Sequence, residues 1–180
     1  MMRNERSPRL VLVVVIASVV LAASRAPADT DADKRTCANE RLDVETRLAA
    51  CARLLAAEEI TQVDRAWTLI QRGNLYRRRK EHDKALADFA EAERLEPDNP
   101  ETYRGRAYVR FRKEQYPEAD ADLTRALELE PRHFGAMAGR GVIRYFQGKP
   151  ALAIQNIQQA AKYHPYLKEL EMFGLPYPAR

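Results

Sequence analysis

The sequence has few glycines and histidines, and each shortage excludes a class of function. With 7 glycines in 180 residues, it has no glycine-rich phosphate loop and no G-x-S-x-G nucleophile motif. Its 3 histidines, His82, His133 and His164, lie 51 and 31 residues apart, without the short His and Cys spacings of a zinc site. The sequence therefore predicts no enzyme, no metal site and no cofactor.

A strong excess of positive charge is also missing from most of the chain. The formal net charge is +4, but residues 1–28 contribute +3 of it, so the remainder carries about +1. The basic run Arg77–Lys80 does not form one patch, because consecutive helical residues point about 100° apart. A nearly neutral body gives no electrostatic basis for binding nucleic acid, and we predict no nucleic-acid partner.

The N-terminus has the pattern of an export signal. Three arginines precede the apolar run Leu10–Ala23, and small residues at Ala26 and Ala28 follow it, which is typical of a signal peptide cleaved after Ala28. The run of 14 residues is shorter than the roughly 20 needed to cross a bilayer. We expect a periplasmic or secreted protein. The alternative is an uncleaved leader that tethers the protein to a membrane.

Only two cysteines are present, Cys37 and Cys51. An oxidising compartment favours a disulfide between them. In one continuous helix they would lie about 21 Å apart and could not bond, whereas a turn between them would permit the bond. We expect the disulfide; the alternative is two small buried thiols.

What the sequence does contain is a pattern that recurs at a fixed interval of 34 positions. Small residues recur at Gly73, Ala107 and Gly141. Four further positions share the interval: Ala85, Ala119 and Ala153; Phe89, Leu123 and Ile157; Ala92, Ala126 and Ala160; and Pro97, Pro131 and Pro165. Small residues let two helices approach closely, the large residue fills the gap between them, and proline ends the second helix. The pattern resembles the tetratricopeptide repeat.

The resemblance implies an all-α fold, a right-handed α-solenoid of antiparallel helix pairs. Its units would be a signal peptide (1–28), a degenerate opening repeat (29–65), three repeats (66–99, 100–133 and 134–167), and a capping helix end with a tail (168–180). The family's aromatic position holds Tyr76 in the first repeat but Arg110 and Arg144 in the others. We therefore expect the later first helices to be slightly rotated.

The ends of the array complete this organisation. Residues 44–59 resemble the second helix of the opening repeat, and residues 166–174 a short cap over the last apolar face. A cysteine-tied opening resembles exported tetratricopeptide proteins of alphaproteobacteria. We expect the acidic residues of the second helices to lie mostly on a solvated outer face: Asp88, Glu91, Glu93, Glu96, Asp122, Glu128 and Glu130.

Proteins of this family bind peptides in a groove lined by their first helices. The resemblance places nine candidate residues there: Asn74, Arg77, Arg78, Arg104, Tyr108, Phe111, Arg112, Tyr145 and Phe146. Aromatic and arginine side chains dominate interface energetics, so we expect an acidic, amphipathic protein or peptide segment as partner. A family subset grips a C-terminal carboxylate with basic and asparagine residues; only Asn74 matches here, and we expect that mode to be absent.

The predicted function is a non-enzymatic protein–protein interaction module or scaffold of the bacterial cell envelope. Two alternatives stay open. One is an accessory subunit or small-ligand binder of an envelope enzyme, taking a glycan or lipid in a closed apolar pocket. The other is a membrane-tethered adaptor that keeps its leader. Nothing in the sequence predicts the oligomeric state.

Overall fold

The computed structural model describes residues 30–163, and eight α helices account for the regular structure of that range. The predicted signal peptide, Pro165, the capping helix and the tail lie outside the described residues. The helices are α1 (Thr30–Ala38), α2 (Val44–Ala56), α3 (Gln62–Arg78), α4 (His82–Leu95), α5 (Pro100–Arg112), α6 (Tyr116–Leu129), α7 (Phe134–Phe146) and α8 (Pro150–Tyr163).

Local sequence explains where the helices begin. The side chain of Thr61 accepts a hydrogen bond of 3.0 Å from the Asp64 backbone N–H and caps α3, as threonine does at helix N-termini. Asn99 caps α5, and Pro100 occupies its first turn, where the missing N–H costs nothing. The helix starts therefore follow from ordinary capping chemistry.

The turn inside each helix pair has a recurring backbone conformation. Lys80, Glu114 and Gly148 all have positive φ, of 61°, 60° and 73°, and they follow one another at the same interval as the packing positions. A left-handed residue at this point reverses the chain, so that the second helix runs back along the first. The repeat therefore extends to the backbone of its turns.

Helix contacts define an array with an inner and an outer side. Each helix packs on the next one along the chain, and the first helices of successive pairs (α1, α3, α5 and α7) also pack on one another. Within residues 30–163 the second helices (α2, α4, α6 and α8) do not contact each other. The array therefore curves with the first helices inside, and the predicted all-α solenoid of helix pairs is confirmed.

Phe89 shows why small residues are needed where neighbouring helices approach each other. Its side chain is 0% exposed, between two neighbouring first helices. A Cβ atom added to Gly73 would lie 3.0 Å from the Phe89 ring, and one added to Gly105 would lie 2.5 Å from it. These are closer than carbon atoms can pack without displacement, so both glycines make room for the ring.

The opening pair α1–α2 contains the disulfide. A turn follows α1, and Cys37 bonds to Cys51 across the pair with their Cα atoms 5.1 Å apart. Both cysteines are fully buried, and Arg53 Nε donates to Asp33 Oδ1 at 2.9 Å beside them. The second helix of this pair ends at Ala56, three residues before the predicted end at residue 59.

The expectation of a solvated acidic face is wrong for Asp88 and Asp122. Asp88 and Asp122 are 5% and 3% exposed, because they face the first helix of their own pair and hydrogen-bond to arginines. Arg72 Nη2 donates to Asp88 Oδ1 at 2.7 Å, and Arg106 Nη2 donates to Asp122 Oδ1 at 2.8 Å. Glu93 also pairs with Arg106. These interhelix arginine pairs tie first helices to second helices inside the array.

The same pairs explain the departure at the aromatic position. Arg110 Nη1 donates to Asp122 Oδ2 at 2.8 Å, and Arg144 Nη1 donates to Asn156 Oδ1 at 2.9 Å. A guanidinium at this position therefore reaches a polar group on the second helix. In the first repeat Tyr76 occupies the position, and the guanidinium carbon of Arg72 lies 5.8 Å from its ring centroid. The substitution exchanges an aromatic contact for hydrogen bonds.

Candidate functional site

The candidate groove residues lie on the inner helices α3, α5 and α7, and the structure groups most of them into two clusters. Near the C-terminal ends of α3 and α5 is an arginine–tyrosine cluster of Asn74, Arg77, Arg104 and Tyr108. Further along the array is an aromatic cluster of Phe111, Tyr116, Tyr145 and Phe146.

Arg77 is the centre of the arginine–tyrosine cluster. Its guanidinium carbon lies 4.3 Å from the centroid of the Tyr108 ring, within cation–π range. Its Nε donates to Asn74 Oδ1 at 3.3 Å. Burial and the neighbouring charge of Arg104 lower the pKa of Arg77. The cluster therefore holds a half-buried cation on a fixed aromatic surface.

The two arginines of this cluster differ in their partners. Arg104 Nη2 donates to Glu101 Oε2 at 2.6 Å, so a carboxylate of the same helix offsets its charge. Within residues 30–163, Arg77 has no carboxylate partner in hydrogen-bond range. The Arg77 charge is therefore available to an anionic group brought by a ligand.

Glu101 is itself held by a third group, on the neighbouring helix. The N–H of Ala136 donates to His133 Nδ1 at 3.3 Å, so Nε2 carries the ring proton and donates to Glu101 Oε1 at 2.7 Å. Burial raises the pKa of Glu101, but the bonds and charges of His133 and Arg104 outweigh it and lower that pKa to about 2. Glu101 is thus a carboxylate that links α5 to the start of α7.

The aromatic cluster gives the inner side an exposed apolar patch. The Phe146 ring centroid lies 5.2 Å from that of Phe111 and 5.9 Å from that of Tyr116, separations at which aromatic pairs attract. Tyr145 and Phe146 remain 55% and 45% exposed. Phe111 is only 8% exposed, so it supports Phe146 from below rather than lining the surface.

Sequence reasoning missed Tyr116, which lies at the start of α6. The equivalent positions in the neighbouring repeats hold His82 and Pro150, so the repeat pattern carries no signal for an aromatic there. The remaining candidates, Arg78 and Arg112, are exposed near the ends of α3 and α5. They add positive charge at the edge of the groove.

Gly105 explains why a carboxylate clamp does not fit this groove. The clamp needs an asparagine where Gly105 stands, and the Phe89 ring already occupies the space of its Cβ. Any side chain at this position would displace the ring. The core of the first repeat therefore excludes the middle residue of the clamp.

Among residues 30–163 no group of three or more His, Cys, Asp and Glu side chains is placed to hold a metal ion. No helix of that range is both long and apolar enough to span a bilayer. A surface cavity of about 380 Å³ is lined by Lys80, Glu81, His82, Asp83, Lys84 and Lys113, which is charged rather than the closed apolar pocket a lipid would need.

Known proteins resemble this chain in both sequence and fold. Residues 73–114 match the family model of the TPR repeat. No curated protein sequence matches the chain. Several solved structures have the same helical array, at sequence identities that establish the fold alone.

Three of these structures illustrate the likeness. MamA superposes with a TM-score of 0.65 at 13% identity, covering 82% of this chain and 84% of its own. The Arabidopsis OM64 TPR domain gives 0.59 at 21% identity, covering 63% and 94%. The first TPR of Spaghetti (RPAP3), bound to the HSP90 peptide SRMEEVD, gives 0.56 at 24% identity, covering 61% and 90%.

The repeat pattern, the curved array of helix pairs and these likenesses define a helical-repeat solenoid. Residues 73–114 match the tetratricopeptide repeat, and the described residues have the fold of proteins built from that repeat.

Proposed function

We propose that the protein is a non-enzymatic interaction module that binds an acidic, amphipathic segment of a partner protein along its inner face. The observation that carries this proposal is Arg77, a half-buried cation fixed on Tyr108 without a carboxylate partner in residues 30–163. The exposed Tyr145 and Phe146 side chains supply apolar area further along the same face. The structure of the first TPR of Spaghetti with its bound peptide supports peptide binding by this fold.

The spacing of the two clusters sets the register of the partner segment. Arg77 is on α3 and Phe146 on α7, two helix spacings away, and packed helices lie about 8–10 Å apart. An extended chain advances about 3.3–3.6 Å per residue. The partner therefore places an acidic residue roughly five or six positions from an aromatic or aliphatic one. The carboxylate binds the Arg77 fork, and the apolar side chain packs on Phe146.

We further propose that the module works in the bacterial cell envelope. The signal-like leader of the sequence supports this location. The buried disulfide adds support, because structural disulfides persist in oxidising compartments and are rare in the cytosol.

A displayed peptide library tests the binding mode directly. Peptides of eight residues carry one Asp or Glu and one aromatic residue at every possible separation, and their affinity for the full chain is measured. We expect the best binders to have a separation of five or six. Arg77→Gln should weaken them at least tenfold, because a charge-assisted bond contributes roughly 1.5–3 kcal/mol.

Matched variants separate the inner face from the outer one. Arg94→Gln is the control for Arg77→Gln, since Arg94 is exposed on α4 and pairs with Glu91. The double change Arg104→Ala and Arg112→Ala should also weaken binding, whereas charge reversal at Glu128 and Glu130 should not. Loss of binding only on the outer-face reversal would place the binding surface on the second helices and overturn the proposal. A library in which no peptide binds would also overturn the proposal.

A further inference from the structure

The last helix pair breaks the series of interhelix arginine pairs. Arg140 is the equivalent of Arg106 one repeat later, and Asn156 is the equivalent of Asp122. Arg140 Nε donates to Asn156 Oδ1 at 3.3 Å, so the geometry of the pair is kept while the negative charge is lost.

A second carboxylate is missing from the same place. In the preceding pair Glu93 also bonds to Arg106, and the equivalent residue one repeat later is Leu127. Arg140 is therefore half-buried without either of the carboxylates that its counterpart Arg106 has. Within residues 30–163, no ion pair to Arg140 is present.

Two arginines share the single neutral oxygen of Asn156. Arg144 Nη1 donates to that oxygen at 2.9 Å, and Arg144 Nε donates to Asp120 Oδ1 at 3.2 Å. Asn156 is only 2% exposed. Asp120 thus bonds to one of the two guanidinium groups, and within residues 30–163 Arg140 has no carboxylate in hydrogen-bond range.

Such an arrangement is costly unless a ligand completes it. Burial and the charge of Arg144 lower the pKa of Arg140, which shows that its surroundings disfavour the cation. A guanidinium has five N–H donors in a planar fork, and Arg140 uses one of them within the described chain. The unused donors suit the two oxygens of a carboxylate or another small oxyanion.

We propose that Arg140 and Arg144, positioned by Asn156, form an oxyanion site that binds a carboxylate supplied from outside the chain. The bound group takes the electrostatic role that Asp122 has in the preceding helix pair. The site is separate from the groove proposed above, because it depends on α8 and on residues that the groove does not use. It holds whether or not the groove binds a peptide.

Reciprocal substitutions test the site, since the chain contains both versions of the pair. Asn156→Asp is nearly isosteric and supplies the missing carboxylate from within. Asp88→Asn leaves Arg72 facing a neutral asparagine, as Arg140 does, although Tyr76 stands where Arg144 stands in the last pair. The melting temperature of the full chain and of both variants is measured while acetate or phosphate replaces chloride at constant ionic strength.

We expect Asn156→Asp to have a higher melting temperature in chloride, on the order of 5 °C, and to gain less from acetate or phosphate than the unmodified chain does. The unmodified chain should be stabilised by both anions, and Asp88→Asn should respond more strongly than the unmodified chain. An equal response in the unmodified chain and in Asn156→Asp would overturn the proposed site. It would mean that the anions stabilise the protein without binding it, as phosphate does for proteins in general.

A second arm distinguishes a free anion from a protein carboxylate. A tetraglutamate peptide with blocked ends is titrated against the unmodified chain and Asn156→Asp. Stabilisation of the unmodified chain by the peptide but not by acetate or phosphate identifies an acidic protein segment as the ligand. Stabilisation by all three identifies the carboxylate or oxyanion group itself as sufficient. If none of the three stabilises the unmodified chain more than Asn156→Asp, the proposal is wrong.

Discussion

The opening helix pair and the pairs that follow it hold their helices together by different means. In α3–α4 and α5–α6 a buried aspartate on the second helix bonds to an arginine on the first. In α1–α2 the positions equivalent to Arg72 and Asp88 are Ala38 and Leu54, which cannot form that bond. The Cys37–Cys51 disulfide joins the two helices there, and an ion pair of the opposite arrangement accompanies it, with Asp33 on the first helix and Arg53 on the second.

The two kinds of bond act on different states of the chain. A disulfide stabilises a helix pair mainly by restricting the unfolded chain, and it does not require a large buried interface. The ion pairs of the later repeats act in the folded state, where they add directional contacts between buried groups of the two helices.

The largest effect is expected from breaking an ion pair of the repeats. Asp122→Ala removes the carboxylate that accepts from both Arg106 and Arg110 and leaves buried cations behind. We expect a loss of about 3 kcal/mol or more in the free energy of unfolding, measured by denaturant titration. Asp98→Ala is the control, because Asp98 pairs with Arg125 on the exposed surface; it should change stability very little. Equal losses in the two variants would mean that burial does not set the strength of these pairs.

The second effect, slightly smaller, concerns the disulfide. Its two cysteines are 14 residues apart, and a closed loop of this size contributes roughly 3 kcal/mol in the chain-entropy account. Reduction of the full chain should lower its stability by up to that amount. Cys37→Ala with Cys51→Ala should behave like the reduced chain and be insensitive to reductant. Thiol titration of unreduced, denatured protein should detect no free thiol; two free thiols would contradict the bond.

Sequence reasoning predicted the fold because the packing positions repeat without insertion. Phe89 and the small residues Gly73, Ala85 and Ala92 occupy equivalent places in each unit, and their sizes follow directly from helix contact. The interhelix arginine pairs were not predicted, although their residues recur at the same interval of 34. Aspartate is usually exposed, so residue type alone predicts a solvated side chain. The burial of Asp88 depends on its partner Arg72, 16 residues away, rather than on its sequence neighbours.

The candidate groove was less predictable for a related reason. Helical spacing places Phe111 and Arg104 on the inner helix. It does not show that Phe146 covers Phe111 or that Glu101 binds Arg104. Tyr116 comes from another helix altogether. Side chains from neighbouring helices decide which groove residues remain available, and a pattern read along one helix cannot contain that information.

The smallest expected effect is a pH dependence at the contact between α5 and the start of α7. Glu101 joins α5 to His133 at the start of α7, and its bonds hold its pKa at about 2, below the ordinary 4.5. A carboxyl group whose pKa is lowered by folding stabilises the folded state above its unfolded pKa, and the contribution is lost as the pH falls from about 4.5 to about 2. The Cys37–Cys51 bond has no proton to bind in this range, but hydrogen bonds from Thr46 lower the pKa of Asp43 in the opening pair, so a variant at Glu101 is needed to isolate this contribution.

Melting curves of the full chain and of Glu101→Gln between pH 5 and pH 2 measure this dependence. Because the Glu101 side chain is 44% exposed, solvent screens its interactions and the change should be modest. The variant has no carboxyl group to protonate at this position, so it should lose less stability over the interval than the unmodified chain. Parallel curves would show that the bond between Glu101 and His133 does not contribute to joining α5 to the start of α7.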